Sequence, residues 1–206
     1  RSTLFPYTTL FRSIIDRYEL RALSAQINPH FLYNTLDTIV WMAEFNDSKR
    51  VVEVTKSLAQ YFRLALNQGH EQISLRDEID HVRQYLFIQK QRYGDKLQYE
   101  IEEDESLADY KLPKLVLQPL VENAIYHGIK EIDRHGMIRV TSKVEEGQLR
   151  LSIYDNGRGF DVNAPMDATL LHLGGVGLKN VDQRLRLQFG DDYHMEIQSE
   201  ADKFTR

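Results

Sequence analysis

The amino-acid sequence predicts an α+β protein in which a helical hairpin precedes a two-layer α/β sandwich. Apolar residues recur every three or four positions over the first third of the chain, which indicates packed helices. Short segments that alternate apolar and polar residues follow and are interleaved with helical segments, which indicates a sheet covered by helices. The 206 residues are enough for two small domains.

The composition is that of an ordinary globular protein, with 42% hydrophobic and 28% charged residues. A net charge of −5 argues against a nucleic-acid-binding protein, which usually carries a basic face. The chain has no cysteine, so a disulfide scaffold, a thiolate nucleophile and a zinc–thiolate site are excluded. No apolar run reaches the roughly 18 residues that a membrane helix needs.

The hairpin is predicted from two seams of apolar residues. Residues 14–43 carry a heptad seam, with a kink expected near Asn28 because Pro29 falls inside the pattern. A turn at residues 46–48 leads to a second helix. Because two helices alone bury little surface, we expect two copies to form a four-helix bundle. The first seam comprises Ala22, Ala25, Pro29, Leu32, Leu36, Ile39 and Ala43, and the second Val51, Val54, Leu58, Tyr61 and Ala65.

The chain divides into three predicted parts, with boundaries after residues 13 and 72. Residues 1–13 show no period and are interpreted as a non-native tail, residues 14–72 as a dimerisation domain, and residues 73–206 as the α/β domain. Ser74 is a predicted helix N-cap with acidic residues in the following turn. Further helices are predicted at Ser74–Tyr93, Pro113–Ile129 and Val176–Phe189, and strands at Leu97–Glu103, Met137–Val144, Gln148–Tyr154 and His194–Gln198.

A polar helical segment, residues 118–128, is the first candidate for chemistry. Asn123 and His127 are four residues apart and share a helix face, and Glu122 lies beside them. An asparagine carbonyl is a hard oxygen ligand that suits Mg²⁺. Taken alone, the segment is equally well interpreted as the solvated face of an amphipathic helix.

Two glycine-rich segments follow this helix. Residues 155–159 come directly after a strand, and residues 174–180 open a helix. Glycine lets backbone N–H groups approach an anion closely, and a helix N-terminus adds unsatisfied donors. The fourteen residues between Gly159 and Gly174 have the length of a lid or binding loop. Each segment alone is more simply a turn.

In this order the three segments resemble the ATP-binding domain, of Bergerat-type fold, shared by histidine kinases, gyrase-type topoisomerases, heat-shock chaperones and MutL-type repair proteins. The resemblance spans about Leu97–Ser199. It implies that Asn123 coordinates Mg²⁺ and that Asp155 accepts a hydrogen bond from the adenine amino group of ATP. It further implies an adenine pocket shaped by Gly157 and Gly159, a phosphate-side loop and lid hinge formed by Gly175, Gly177 and Leu178, and nucleotide-proximal positions at His127 and Asn180.

A segment in the first half of the chain indicates which of these families the chain resembles. Its segment Gln26–Leu36, QINPHFLYNTL, resembles the phosphoacceptor motif of LytS/YesM-type sensor histidine kinases. The resemblance implies that His30 accepts the phosphoryl group and that Asn34 orients a water or the phosphoryl group. At about 100° per residue His30 points away from the apolar seam, so we expect it to be exposed. A neutral imidazole can attack phosphorus without a strong base.

Phe31 stands where many histidine kinases carry an acid beside the phosphoacceptor, so the base is open and Glu122 is a candidate. The resemblance implies ATP-dependent autophosphorylation of His30, followed by transfer to an aspartate on the receiver domain of a response regulator. It also implies a homodimer that is the cytoplasmic portion of a bacterial inner-membrane or plasma-membrane protein, with membrane segments upstream and a truncated C-terminus. Two alternatives stay open, namely a nucleotide-binding dimeric scaffold without kinase activity and a gyrase- or chaperone-like ATPase.

Overall fold

A computed structural model of the protein describes residues 28–65, 72–162 and 176–206. The chain divides into two compact units, of which the first ends at Val52 and the second begins at Glu53. This division does not coincide with the predicted boundary after residue 72, and the assignment of residues 14–72 and 73–206 to domains stays a prediction. The predicted tail (residues 1–13), the seam positions Ala22 and Ala25, and Gly175 lie outside the described residues.

Helix α1 spans Pro29–Glu44 in the first unit. Asn28 precedes it in an extended conformation, and its side-chain oxygen accepts a hydrogen bond from the Phe31 N–H at 3.2 Å. Proline is well suited to the first helical position, because its missing N–H would have no helical partner there. The predicted kink is therefore wrong, since Pro29 begins a helix instead of bending one.

The buried face of α1 differs from the predicted seam. Phe31, Thr35 and Met42 are buried, whereas Leu36 is 44% and Val40 57% exposed. At about 100° per residue the two groups lie on roughly opposite sides of the helix. Helix α1 therefore has two apolar faces, and the spacing pattern identified the exposed one. Of the described residues in the predicted seam, Leu32 and Ile39 are half-buried and Pro29, Leu36 and Ala43 are exposed.

A tight turn joins α1 to helix α2, which spans Ser48–Ala65. Asn46 adopts a left-handed conformation with a φ of 57°, and the Asp47 N–H donates to the Met42 carbonyl at 3.0 Å. This is the Schellman pattern, in which a left-handed residue satisfies the last carbonyls of a helix. The predicted turn is confirmed. The predicted α2 seam is confirmed at four of its five positions, since Val54, Leu58, Tyr61 and Ala65 are buried and Val51 is half-buried.

After α2 the chain forms the sheet and the helices of the second unit. The elements are β1 (Gln72–Ser74), α3 (Leu75–Tyr93), β2 (Leu97–Glu102), β3 (Lys111–Pro113), α4 (Gln118–Asn123), β4 (Gly136–Glu145), β5 (Gln148–Asp155), α5 (Val176–Phe189), β6 (Ser199–Glu200) and β7 (Phe204–Thr205). A mixed five-stranded sheet has the order β2-β4-β5-β7-β6. Strands β2 and β4 are parallel and the other neighbours antiparallel, while β1 and β3 form a separate antiparallel pair. The predicted fold class is confirmed: helices are followed by a mixed α/β sheet domain.

The sheet has one buried and one solvated face. On β4, Ile138 and Val140 are buried, whereas Arg139 and Lys143 on the alternate positions are exposed. This alternation is what a strand with one face on the core produces. The Glu146-Gly147 turn joins β4 and β5 with both residues at positive φ, as a tight two-residue hairpin requires.

Two predicted elements are wrong. Pro113 ends the edge strand β3 instead of starting a helix, and the chain then turns at Leu115, with a φ of 58°, before α4 begins. Residues 194–198 are not a strand. Their alternation reflects Met195 and Ile197, which pack on a small apolar cluster, while the strand pairing comes from the β6–β7 hairpin that follows.

Candidate functional site

The segment that leads into helix α4 is held by a buried carboxylate. Glu78 of α3 is fully buried, and its carboxylate accepts hydrogen bonds from the N–H groups of Leu115, Val116 and Leu117 at 2.8, 2.7 and 2.8 Å. Burial raises the pKa of Glu78, and the three backbone donors oppose that rise. A carboxylate near a helix N-terminus is electrostatically favourable, so Glu78 holds the three residues that lead into the helix that carries Asn123.

After Asn123 the helix widens. Residues Ala124–Ile129 form a π-helical turn, and the Lys130 N–H donates to the carbonyl of Ile125 at 2.8 Å. Such turns occur frequently at functional sites. Asn123 is half-buried and His127 is exposed, so both side chains of the predicted pair remain accessible.

Glu122 is half-buried beside Asn123, and a hydrogen bond orients its carboxylate. Its Oε1 accepts from Gln118 Nε2 at 2.8 Å, and the same nitrogen donates to the Tyr61 hydroxyl at 2.7 Å. Burial raises the pKa of Glu122, and the Gln118 donor opposes that rise. The predicted base candidate is therefore held in one orientation by a buried amide.

Asp155 ends strand β5 as a buried carboxylate, with 4% of the residue exposed. It accepts a hydrogen bond from the Gly157 N–H at 2.9 Å, and burial raises its pKa to about 7. A Cβ on Gly128 would lie 2.5 Å from Asp155 Oδ1, and one on Gly157 would overlap the Gly128 backbone. The end of the π-helical turn and the loop after β5 are thus in contact, and only glycine fits at both positions.

The glycine segment after β5 is fixed by hydrogen bonds from outside it. Arg134 Nη2 donates to the carbonyls of Asn156, Gly157 and Asp202 at 2.7, 2.9 and 2.8 Å. The Asn156 side-chain oxygen accepts from the Met137 N–H at 2.6 Å. These bonds set the backbone path of the segment before any ligand is bound.

Gly159 lies against the C-terminal hairpin. It has a φ of 56°, and a Cβ there would overlap the carbonyl oxygen of Glu200. The next N–H, of Phe160, donates to Ser199 Oγ at 2.9 Å. Both the left-handed backbone and the close approach of β6 therefore require glycine.

The first turn of α5 is held by an apolar cluster. Leu178 is buried and packs with Phe160, and Leu120 of α4 packs against the pair. Gly177 faces Pro119 of α4, whereas the Asn180 side chain is exposed. Leu178 therefore joins α5, α4 and the glycine segment, while the Gly175 prediction falls outside the described residues.

This donor set fits an adenine nucleotide with Mg²⁺. Asp155 presents a buried carboxylate, a suitable acceptor for an exocyclic amino group, and Asn123 presents a half-buried amide, whose oxygen is a hard ligand. Within the described ranges, no group of three or more His, Asp or Glu side chains could hold a metal ion. A metal at Asn123 would therefore take its other ligands from phosphate and water, as Mg²⁺ commonly does.

Sequence reasoning missed four residues that shape this site: Glu78, Arg134, Asn156 and Gly128. The sequence signal for Gly128 was available, since it directly follows His127 in the polar segment. Glu78 was assigned to the acidic first turn of its own helix. Its carboxylate instead binds the N–H of Leu115, which lies 37 residues later in the sequence. Nothing local in the sequence indicates that contact.

In the first unit His30 is exposed on α1, as predicted from the helical spacing. Asn34, one turn later, is half-buried, and its backbone carbonyl accepts a hydrogen bond from Thr38 Oγ1 at 2.8 Å. Among the described residues the Asn34 amide nitrogen has no hydrogen-bond partner. The roles of His30 and Asn34 stay predictions.

Comparison with known proteins agrees with both halves of this description. Residues 18–97 match the family Histidine kinase, and residues 108–206 match the family Histidine kinase-, DNA gyrase B-, and HSP90-like ATPase. A solved structure titled as a bacterial phosphotransferase has a similar fold, with a TM-score of 0.50 at 18% identity, covering 89% of this chain and 94% of that one.

The two family matches place the chain among the histidine kinases. The chain is 38% identical to the sensor histidine kinase YesM of Bacillus subtilis and 36% identical to BtsS of Escherichia coli K12, over 94% and 95% of its length. It is 30% identical to the sensor protein LytS of Oceanobacillus iheyensis over 91% of its length. The chain belongs to this LytS/YesM-type family of sensor histidine kinases.

The chain spans only about a third of these relatives, 33% of each. None of the helices in the described ranges is long and apolar enough to cross a membrane.

Proposed function

We propose that this chain transfers the γ-phosphoryl group of ATP to its own His30. The observation that carries the proposal is the buried Asp155 carboxylate, held between Gly157 and Gly128, in a chain that also presents His30 on an exposed helix face. A gyrase- or chaperone-like ATPase does not account for the histidine kinase match over residues 18–97.

Asp155 binds the adenine end of the nucleotide. Its carboxylate oxygens lie at the end of β5, and one of them accepts the Gly157 N–H. The ionised carboxylate accepts a hydrogen bond from the exocyclic amino group. Gly157 and Gly159 let the loop pack closely against Gly128 and Glu200, which shapes the backbone around this carboxylate. At the other end, Gly175, Gly177 and Leu178 form the phosphate-side loop and lid hinge, and His127 and Asn180 lie near the nucleotide.

Asn123 holds the metal through its amide oxygen. Mg²⁺, when bound, neutralises charge on the phosphate oxygens and thereby favours phosphoryl transfer. The contribution of the protein is positioning, because Glu78 holds the residues that lead into α4, and the π-helical turn after α4 contacts Asp155 and Gly157 through Gly128.

In the transfer step, a ring nitrogen of neutral His30 donates its lone pair to the γ-phosphorus. The bond between that phosphorus and the bridging oxygen breaks, and ADP leaves with the electron pair. The proton on the other ring nitrogen passes to the Glu122 carboxylate. Asn34 orients a water or the phosphoryl group when the phosphohistidine reacts further.

The active form is a homodimer that contacts a response regulator. Leu36, Val40 and Trp41 on α1 are exposed apolar residues, which a second copy would cover in a four-helix bundle. Phosphohistidine then transfers its phosphoryl group to an aspartate of the receiver domain. We place the chain in the cytoplasmic portion of a bacterial inner-membrane or plasma-membrane sensor, as its relatives suggest.

Autophosphorylation is tested with γ-labelled ATP and Mg²⁺ on the wild type and on His30→Gln. We expect acid-labile, base-stable label on the wild type and none on His30→Gln, because a phosphohistidine contains a phosphoramidate bond. His194→Gln is the matched control, since His194 is also exposed but lies outside the phosphoacceptor segment.

Equal labelling of the wild type and His30→Gln would mean that another histidine is the acceptor. ATP binding without any labelling would favour an idle nucleotide-binding scaffold.

A further inference from the structure

Gln118 lies at the centre of a buried hydrogen-bond chain in the second unit. Only 7% of the residue is exposed, and its side-chain nitrogen donates to Glu122 Oε1 at 2.8 Å and to the Tyr61 hydroxyl at 2.7 Å. A primary amide nitrogen carries two hydrogens. Both are therefore used, one on the carboxylate and one on the hydroxyl.

Glu122 dictates which way the Gln118 amide faces. An ionised carboxylate can only accept hydrogen bonds, so the amide nitrogen and not the amide oxygen must face it. A tyrosine hydroxyl can accept as well as donate, and it accepts the second hydrogen here. The amide is thus held from two sides in the orientation that serves Glu122.

Tyr61 is itself tightly placed. It lies on α2, is almost completely buried, and its ring stacks on that of His81 with centroids 4.4 Å apart. The buried imidazole has a pKa lowered to about 4 by desolvation, so a neutral ring faces Tyr61 at physiological pH. Packing therefore fixes the hydroxyl that holds Gln118.

We propose that Gln118 is a positioning residue for phosphoryl transfer, acting through Glu122, and that Tyr61 holds Gln118 in place. A general base works only within hydrogen-bond reach of the proton it takes, and a small displacement lowers the rate strongly. This inference rests on the proposed function, because it assigns Gln118 and Tyr61 to the placement of the base in that reaction.

The test is a double-mutant cycle on single-turnover labelling of the 206-residue chain at saturating ATP. We expect Gln118→Met to lower the rate of His30 phosphorylation by about tenfold. This is less than the full effect of a positioned general base, because Glu122 remains in the variant. The dissociation constant for ADP should not change, because the lost contact acts only in the transfer step. In a Glu122→Gln background, Gln118→Met should cause no further loss.

Two further variants distinguish positioning from folding. Tyr61→Phe keeps the ring on His81 and removes only the hydroxyl that accepts from Gln118. We expect the labelling rate to fall by about threefold, with unchanged ADP binding and no further loss in the Glu122→Gln background. Gln89→Met is the matched control: Gln89 is buried and donates to the Tyr85 hydroxyl at 2.8 Å, and it is not hydrogen-bonded to a carboxylate within the described residues.

Equal losses from Gln118→Met in both backgrounds, weaker ADP binding, or the same loss in Gln89→Met would overturn the positioning role. If the wild type is labelled and Glu122→Gln is as active, this inference fails while the proposed function stands with another base. If the wild type is not labelled, the proposed function fails first and the inference falls with it.

Discussion

The loop after β5 and the surface of α1 around His30 are organised in opposite ways. Arg134 alone makes three hydrogen bonds to carbonyls of the loop and the hairpin beside it, and Gly157 is packed against the Gly128 backbone. On α1, His30 and several large apolar side chains are exposed. The proposed nucleotide site is therefore shaped by contacts within one unit, whereas the surface around the proposed acceptor His30 is exposed.

Among substitutions in the loop after β5, we expect Gly157→Ala to have the largest effect. A Cβ there would overlap the Gly128 backbone, so Gly157→Ala must displace either the loop or the end of the π-helical turn. We expect at least an approximately 100-fold loss of ADP affinity and a loss of about 1–3 kcal/mol in the free energy of unfolding. Calorimetric titration and thermal unfolding measure the two effects.

Gly147→Ala is the control for this substitution. Gly147 has a φ of 79°, but a Cβ there would meet no atom within 4 Å, so only backbone strain of roughly 1–2 kcal/mol is expected. ADP binding should be unchanged in Gly147→Ala. Equal loss of binding in both variants would mean that the Gly157–Gly128 contact is not specific to the pocket.

The pH dependence of Asp155 is the next largest effect. Burial raises its folded pKa from 3.8 to about 7, so unfolding releases a proton between those pH values. The free energy of unfolding of the ligand-free chain should therefore fall by a few kcal/mol as the pH rises through this window. ADP affinity should rise over the same range, because the ionised carboxylate accepts the adenine amino group.

Asp155→Asn removes the titrating group and keeps its size. Thermal unfolding at pH 5 and pH 8, at constant ionic strength, should show the slope in the wild type and a smaller slope in this variant. An identical slope in both proteins would assign it to another group.

The exposed apolar surface of α1 is tested at Val40, which is 57% exposed. If a second copy covers this face, Val40→Glu places a charge in the dimer interface and should raise the dimer dissociation constant by about 100-fold. Sedimentation velocity over a concentration series measures it. Val144→Glu, at a similarly exposed valine of β4, should leave the dimer intact, and an equal effect there would argue against the α1 interface.

The smallest expected effect is that of Arg134→Met. The loop loses two hydrogen bonds to its carbonyls, and a third bond to the hairpin carbonyl of Asp202 is lost, but the glycine contacts remain, so the loop should be less well ordered before ligand binding. We expect ADP affinity to fall by about tenfold through lost preorganisation. Arg139→Met removes an arginine that pairs with Glu100 on the solvated sheet face, and no change in ADP affinity is expected there.

Local signals in the sequence predicted the elements that depend on local chemistry. Ser74 caps α3 by accepting the Asp77 N–H at 3.1 Å, and the Glu146-Gly147 pair makes the expected hairpin. His30 is exposed as expected, although the expectation took the exposed apolar face of α1 to be the buried one. The polar and glycine-rich segments around Asn123, Asp155 and Gly157 were also identified, because their residue types and order are unusual.

Long-range contacts were not predictable in the same way. Pro113 ends a strand because β1, about forty residues earlier, pairs with it. The carboxylate of Glu78 on α3 binds the backbone of the residues that lead into α4. On α1, spacing could not distinguish which of two apolar faces is buried, since Leu36 and Phe31 are equally regular members of a helical pattern.

The π-helical turn after Asn123 has a consequence for sequence length. It amounts to one extra residue in a helix, so a single-residue deletion within Ala124–Ile129 would restore ordinary helical hydrogen bonds. It would also rotate Gly128 by about 100° around the axis, away from the Asp155 carboxylate. An insertion or deletion in the π-helical turn would therefore separate Gly128 from Asp155. The Glu146-Gly147 hairpin tip has no such constraint, because a Cβ on Gly147 would meet no atom within 4 Å.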